Sequence, residues 1–238
     1  MVIGAIFAGG IGARMGNFDT PKQYLKLGTK PIIIHTIEKF FINPDIDEII
    51  VLCPKSWIGH TRNLIEKSLG KTGKVTVIEG GNTRNDTLNN ALDYIDKNFG
   101  LDDETIIVTH DAVRPFVTHR IISDNIKAAK KYGACDTVVP ATDTIVESLD
   151  GKLISSIPDR KVLYQGQTPQ SFKAKLLKEA CESLTEDEKR VLTDACKIFT
   201  IKNLPVKLVD GEVFNIKITY PYDLKVAQVM LEGDDIND

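Results

Sequence analysis

No stretch of this 238-residue chain approaches the roughly 20 consecutive apolar residues that a membrane-spanning helix needs. The opening segment also lacks the basic start and small-residue cleavage site of a secretory leader, so the expectation is a cytoplasmic protein with no membrane partner. Cysteine is sparse. Cys53, Cys135, Cys181 and Cys196 form no C-x-x-C pair and have no histidine cluster near them. That removes a zinc knuckle or disulfide framework and leaves four reduced, buried thiols as the expectation. An excess of basic charge is missing too: 30 Lys and Arg stand against 33 Asp and Glu. A nucleic-acid partner would need an extended basic surface, so any anionic ligand must be held by a local cluster. There is no G-x-S-x-G elbow and no H-E-x-x-H, which leaves serine hydrolases and zinc proteases without a foothold. Repeats, low-complexity tracts and long linkers are absent, and residues 1–238 read as one domain.

What is present is a regular alternation. Runs rich in β-branched and other apolar residues, Val2 to Phe7, Glu48 to Cys53, Val75 to Glu79, Thr105 to Thr109 and Asp136 to Val139, alternate with longer amphipathic segments. This pattern predicts an α/β fold, Rossmann-like, with a mostly parallel sheet covered by helices on both faces. Leu88, Leu92, Ile95 and Phe99 draw one apolar stripe along a helix that Gly100 should end, and a second helix is expected from His119 to Tyr132. Past Pro140 the pattern changes. Thr144 to Glu147 and Lys152 to Ser156 flank Asp150-Gly151, predicting a β-hairpin that projects as an arm at about residues 140–158. Helices at Lys173 to Ser183 and Glu186 to Ile198, a strand at Val206 to Val209 and a last helix from Pro221 complete the expectation.

The segment that carries chemistry is Ala8-Gly9-Gly10-Ile11-Gly12-Ala13-Arg14-Met15-Gly16, directly after the first strand. Glycines there let backbone N–H groups approach an anion. It is not a dinucleotide fingerprint, since Met15 stands where the third glycine belongs, and it is not a P-loop, since Gly12 and Gly16 are too close and Asn17 replaces the lysine. The distinguishing residue is Arg14, whose guanidinium can bind phosphoryl oxygens bidentately. Lys22, in Pro21-Lys22-Gln23, adds a second cation within reach. Together they point to a triphosphate, against the plainer alternative of a tight turn with exposed charges.

Asp111, in His110-Asp111-Ala112-Val113-Arg114, closes the fourth strand at the edge where open α/β sheets bind ligands. A strand-end carboxylate beside phosphates is a natural Mg²⁺ ligand, although Asp111 and Arg114 pairing with each other in a turn would explain them equally simply. Gly80-Gly81-Asn82-Thr83-Arg84 and Thr87 either cap a helix or offer amides, a hydroxyl and a cation to a base or phosphate. Arg160, Thr168-Pro169-Gln170, Thr193-Asp194 and Asn215 to Thr219 are weaker singly, and Lys217 alone could be a solvated strand residue. His110 is the one histidine beside a candidate site, and none of the four is assigned to catalysis.

At these residues the chain resembles the cytidylyltransferase family that includes the 2-C-methyl-D-erythritol 4-phosphate and D-ribitol 5-phosphate enzymes. The resemblance rests on AGGIGARMG at 8–16, PKQY at 21–24, GGNTRND at 80–86, HDAVRPF at 110–116, DTIVES at 143–148, QGQTPQSF at 165–172, LTDACKI at 192–198 and NIKITYPYDL at 215–224. It implies that Arg14, Lys22 and Lys217 are the catalytic cations on CTP. It implies nucleotide contacts from Ala8, Gly9, Gly10, Gly12, Gly80, Gly81, Arg84, Thr87 and Asp111, with Asp111 also the Mg²⁺ ligand. Arg114, Thr144, Arg160 and Thr193 would contact the polyol phosphate, some of them across a homodimer built through the arm. Ala8-Gly9-Gly10 replaces the Ala-Ala-Gly common in methylerythritol enzymes, and KPIIIHT, YQGQTPQ and PYDLKVA resemble the ribitol branch, which favours ribitol 5-phosphate as acceptor over methylerythritol 4-phosphate. A nicotinamide-dependent dehydrogenase shares the α/β pattern but not the loop, and a binding protein without turnover is the alternative outside enzymes.

Overall fold

The computed structural model describes residues 1–10, 20–192 and 194–234. Its elements in chain order are β1 Val2–Phe7, β2 Lys26–Leu27, β3 Lys30–Pro31, α1 Ile32–Phe41, β4 Glu48–Cys53, α2 Ile58–Leu69, β5 Val75–Glu79, α3 Arg84–Phe99, β6 Ile106–Asp111, α4 His119–Tyr132, β7 Ala134–Pro140, β8 Tyr164–Lys173, α5 Ala174–Glu182, α6 Glu186–Arg190, α7 Ala195–Ile201, β9 Lys207–Asp210 and α8 Pro221–Asp234. Seven strands form one sheet in the order β5-β4-β1-β6-β8-β7-β9. The pairs β4/β5, β1/β4, β1/β6 and β7/β9 are parallel, and β8 runs antiparallel to both neighbours. The expected architecture, mostly parallel with helices on both faces, is the one observed.

Continuous apolar strands dictate this arrangement, because each face of the sheet must be covered. Val2, Ile6, Ile49, Val51, Ile106 and Val108 pack one way, with α1 and α4 residues such as Ile33, Ile37, Phe40, Ile122 and Ile126. Ile3, Ala5, Ile50, Leu52, Ile107 and Phe172 pack the other way, beneath α3, α5 and α7. Each fully buried Ile or Phe contributes about 1.5–3 kcal/mol. Gly4 marks the tightest approach on the first face: a Cβ there would lie 2.7 Å from Phe40 Cδ1. A third small cluster, Leu27, Ile32, Val113, Ile218 and Ala227, fastens α8 beside the β2/β3 ribbon.

Several boundaries differ from the sequence expectation for physical reasons. Phe99 is 40% exposed and meets Tyr94 edge-on, so the buried stripe of α3 is Leu88, Ala91, Leu92 and Ile95. The helix expected from Glu186 to Ile198 is two helices. Thr185 opens α6 with a capping box, and Asp194 opens α7 by accepting from Lys197 N. The fourth strand extends to Asp111, making that residue the end of β6 itself. β8 was not anticipated: its polar sequence reads as a loop, yet it lies between β6 and β7. Two extra residues of β8 bulge out where Asp136 pairs with Gln170 but Val138 pairs with Gly166. The bulge holds Thr168 and Pro169, joined by a cis peptide.

The arm folds back on itself at the expected turn, with less strand pairing than expected. Between β7 and β8 the only pairing among the described residues is a single bridge, Glu147 with Ser156, and Asp150 turns the chain by accepting from Lys152 N and Leu153 N. A ladder of two short strands with neither face covered is marginal at best in water. Leu149, Leu153, Ile154 and Ile157 are all at least 60% exposed. All four cysteines are free and buried, and burial raises each thiol's pKa. Among the described residues no helix is long and apolar enough to cross a membrane.

Candidate active site

The chain reverses direction across the sheet between β1 and β6, whose carboxyl ends lie side by side with Phe7 opposite Asp111. Such a switch point leaves a crevice. Here it is a cavity of about 470 Å³, walled by Ala8, Gly9 and Gly10 after β1, by Gly81 to Arg84 and Thr87 at the start of α3, and by Lys22, Asp111, Lys217 and Thr219.

Asp111 is the hub. Arg84 Nη1 lies 2.6 Å from Oδ1, Lys217 Nζ 2.9 Å from Oδ2 and Arg114 Nε 3.7 Å from Oδ2. Burial on its own would push this carboxyl's pKa up, but the charges of Arg84, Lys217 and Arg114 outweigh it and hold the group far below the usual carboxylate range. Asp111 is therefore ionised at neutral pH. Its backbone N–H donates to Thr168 Oγ1 at 3.1 Å, and Asn215 Nδ2 donates to Thr168 O at 2.9 Å, so the groups released by the β8 bulge are tied to the sheet edge that bears Asp111. His110, beside the hub, faces the other side of the sheet against Phe40. Burial pulls its pKa down to about 4.

The cations are positioned by ordinary folding devices. Arg84 is the first residue of α3, whose start is fixed by the Thr83/Asp86 capping box, and its guanidinium lies over the Phe7 ring, 5.2 Å from the centroid. The second glycine segment therefore caps a helix, as one of its sequence readings had it, and it also lines the cavity. Thr87 Oγ1 accepts from Gly81 N at 3.0 Å and donates to Thr83 O at 2.8 Å. Gly81 tolerates no side chain, because a Cβ would fall 2.1 Å from Asp86 Cβ. Gly80 is pinned by its N–H to Cys53 O at 2.9 Å. Lys22 is buried, with Nζ donating to Ile218 O at 2.9 Å, and Gln23 Nε2 donates to Ala8 O beneath the loop. Lys217 is not on a strand. It projects from the loop after β9, its side chain 39% exposed, toward Asp111.

The structure thus brings together Ala8, Gly9, Gly10, Lys22, Gly81, Arg84, Thr87, Asp111 and Lys217. Arg114 sits behind this wall, buried, with Nη1 donating to Asn215 O at 2.8 Å. The turn pairing of Asp111 with Arg114 exists, but as the longest of the three ionic contacts. Thr144 and Arg160 lie on the exposed arm, where Arg160 Nη1 donates to Thr142 O at 2.6 Å. Gly12, Arg14 and Thr193 lie outside the described residues. Sequence reasoning did not single out Gln23, Thr83 or Thr219 for the site.

Among the described residues no cluster of three or more His, Cys, Asp or Glu side chains could cage a metal. Asp111 alone offers a hard carboxylate to the cavity, which fits an ion that takes its remaining oxygens from phosphates and water, as Mg²⁺ does.

The family model described as IspD, 2-C-methyl-D-erythritol 4-phosphate cytidylyltransferase, matches residues 2–233. Solved structures agree with it. A 4-diphosphocytidyl-2C-methyl-D-erythritol synthase from Anaerococcus prevotii is 28% identical over 97% of this chain and 96% of its own, with a TM-score of 0.79. The 2-C-methyl-D-erythritol 4-phosphate cytidylyltransferase of Francisella tularensis is 28% identical over 96% and 98%, TM-score 0.78. That of Thermus thermophilus is 25% identical over 96% and 98%, TM-score 0.72. A family match over nearly the whole chain, on a sheet whose switch point gathers cations around one aspartate, leads to one conclusion: the chain belongs to the IspD family and is a nucleotidyltransferase of the cytidylyltransferase type.

Proposed function

We propose that the protein transfers CMP from CTP to D-ribitol 5-phosphate, giving CDP-ribitol and diphosphate, and so supplies activated ribitol for teichoic acid or a related polymer. The observation that carries the transfer chemistry is the pairing of Arg84 and Lys217 with Asp111 in a cavity that Lys22 and the backbone of Gly9, Gly10 and Gly81 also line. A phosphate monoester has its second pKa near about 6, so the attacking oxygen is already ionised at neutral pH and needs no general base. That is consistent with His110 being buried, neutral and turned away. The difficulty is to bring a dianion up to the α-phosphorus of an anionic nucleotide, which calls for fixed cations.

In the proposed reaction an oxygen of the acceptor phosphate forms a bond to the α-phosphorus in line, the bond from that phosphorus to the bridging oxygen of the β-phosphate breaks, and diphosphate leaves. Lys22 and Lys217, with Arg14 of the loop, neutralise charge on the α-phosphate and the leaving group. Arg84 exchanges its grip on Asp111 for phosphate oxygens when nucleotide enters. Asp111 would hold Mg²⁺, which when bound supplies charge neutralisation across the phosphates. The backbone of Ala8 to Gly10 and of Gly80 and Gly81, with Thr87, receives the nucleoside.

Ribitol 5-phosphate is favoured by Ala8-Gly9-Gly10 and by the KPIIIHT, YQGQTPQ and PYDLKVA segments. Methylerythritol 4-phosphate is the second reading, because the family model and the solved relatives above carry that name. We also propose a homodimer in which the exposed apolar arm packs on a second copy and delivers Thr144 and Arg160 to the partner's acceptor site, where Arg114 and Thr193 complete it. Diphosphate release with CTP and Mg²⁺, measured in parallel on the two acceptors, tests the reading. A kcat/KM at least tenfold higher for ribitol 5-phosphate supports it, preference for methylerythritol 4-phosphate replaces the acceptor, and no release with either removes it.

A further inference from the structure

β8 and β7 carry a second group of polar residues on the face that bears Asp111. Thr109, two residues before Asp111 and therefore on its face, pairs with Gln170, and Gln170 pairs with Asp136. Gln170 Nε2 donates to Asp136 Oδ1 at 3.0 Å. The other end of the same amide, Gln170 Oε1, is buried without a hydrogen-bond partner among the described residues, and so is Arg114 Nε. Arg114, paired with Asp111, is also within electrostatic reach of Asp136. Asp194, the cap of α7, adds a second negative charge near Asp136. Buried polar atoms without partners cost folding free energy, so this polar group is retained at a cost in stability beside the cavity.

Access to Asp136 is open on one side. It is partly exposed, and its neighbour on β8 is Gly166, where a Cβ would stand 3.5 Å from Asp136 Oδ2. The absent side chain leaves the second carboxylate oxygen uncovered on the Gly166 side.

We infer that Asp136, held by Gln170, is a specificity-determining residue that accepts a hydrogen bond from the far hydroxyl of the acceptor polyol. The dimensions agree. Asp136 lies level with Thr109, two strand spacings across and two residues along from Asp111, about 12 Å in all. From its phosphate-bearing oxygen to its last hydroxyl, an extended five-carbon polyol spans six bonds, about 7 Å, and the phosphate and a hydrogen bond to the carboxylate add the remainder. A four-carbon backbone is one bond shorter and carries its methyl branch where this site offers carboxylate and amide oxygen.

The inference rests on the ribitol reading, and the experiment separates the two. Steady-state kinetics with CTP and Mg²⁺ compare D-ribitol 5-phosphate with its 1-deoxy analogue on the wild type, Asp136→Asn and Asp136→Leu. The wild type should favour ribitol 5-phosphate over the deoxy compound by about ten- to a hundredfold in kcat/KM, the range of one hydrogen bond to a charged group. Asp136→Leu should bring the ratio near one by raising KM for ribitol 5-phosphate while leaving KM for CTP unchanged, and Asp136→Asn should keep part of the preference. Equal use of the two acceptors by the wild type, or equal loss on both in the variants, overturns the inference while the ribitol reading stands. Failure of the wild type to turn over ribitol 5-phosphate overturns both.

Discussion

The two sides of Asp111 are built differently. On the proposed nucleotide side, β1 and β6 end in parallel register, and the backbone of Ala8 to Gly10, Gly81 and the capped start of α3 make the wall. On the proposed acceptor side the polar strand β8 runs antiparallel to both neighbours, its ladder with β7 is broken by a two-residue bulge, and buried polar atoms are left without partners among the described residues. The contrast follows from what each side must do. Phosphates are recognised by backbone amides and fixed cations, which a regular switch point supplies with little sacrifice of packing. Polyol hydroxyls need side-chain acceptors placed one by one, and a site that reads them tolerates groups that are unsatisfied until the substrate arrives.

The largest expected effect falls on the nucleotide side. Lys217→Ala should lower kcat by roughly two to three orders of magnitude, as loss of one charge-stabilising group does. Because the group acts on phosphates common to every turnover, the loss should be equal with any acceptor used. A loss confined to one acceptor in stopped-assay kinetics would move Lys217 to the other side of the site.

The hub comes next. Asp111→Asn leaves three cations facing a neutral amide. Arg84 and Lys217 are 29% and 39% exposed and are screened by solvent, whereas Arg114 is only 10% exposed. The cost should be about 3 kcal/mol, chiefly from Arg114, or a fall in Tm of about 6–12 °C by calorimetry. An unchanged Tm would mean that Asp111 contributes no net stabilisation to the fold.

The smallest effect tests the acceptor side through pH. Burial raises the Asp136 pKa to about 6, with Asp194 adding to it and Gln170 and Arg114 opposing it. Its folded value lies above its unfolded one, so its stabilising contribution is full below about pH 4 and lost as pH rises through about 6. Asp136→Asn cannot ionise. Its Tm relative to the wild type should therefore rise by a few degrees between pH 4.5 and pH 7, and a constant difference would contradict the burial of this carboxylate.

How much was legible in the sequence follows the same division. The apolar strands β1, β4, β5 and β6, the extent of α4, and the gathering of Lys22, Asp111 and Lys217 with the glycine segments could be read because hydrophobic periodicity and strand-end position carry that information. β8 could not. Tyr164 to Lys173 contains Gly, Pro and three Gln, and its burial comes from the strands on either side rather than from its own composition. The break between α6 and α7 was hidden because neither glycine nor proline marks it between Arg190 and Ala195, although the caps at Thr185 and Asp194 were visible in principle. Asp136 did leave a signal, a charged residue inside an otherwise apolar strand, whose meaning needed the Gln170 and Gly166 of a strand not foreseen.

The central claim is that the acceptor's own phosphate attacks the α-phosphorus of CTP within this site. Acceptor carrying ¹⁸O in its phosphate, turned over with unlabelled CTP and followed by ³¹P NMR, tests it directly. The account predicts that all the label stays in the CDP-polyol, including the new bridging oxygen, and that the diphosphate carries none. Label in the diphosphate would contradict it.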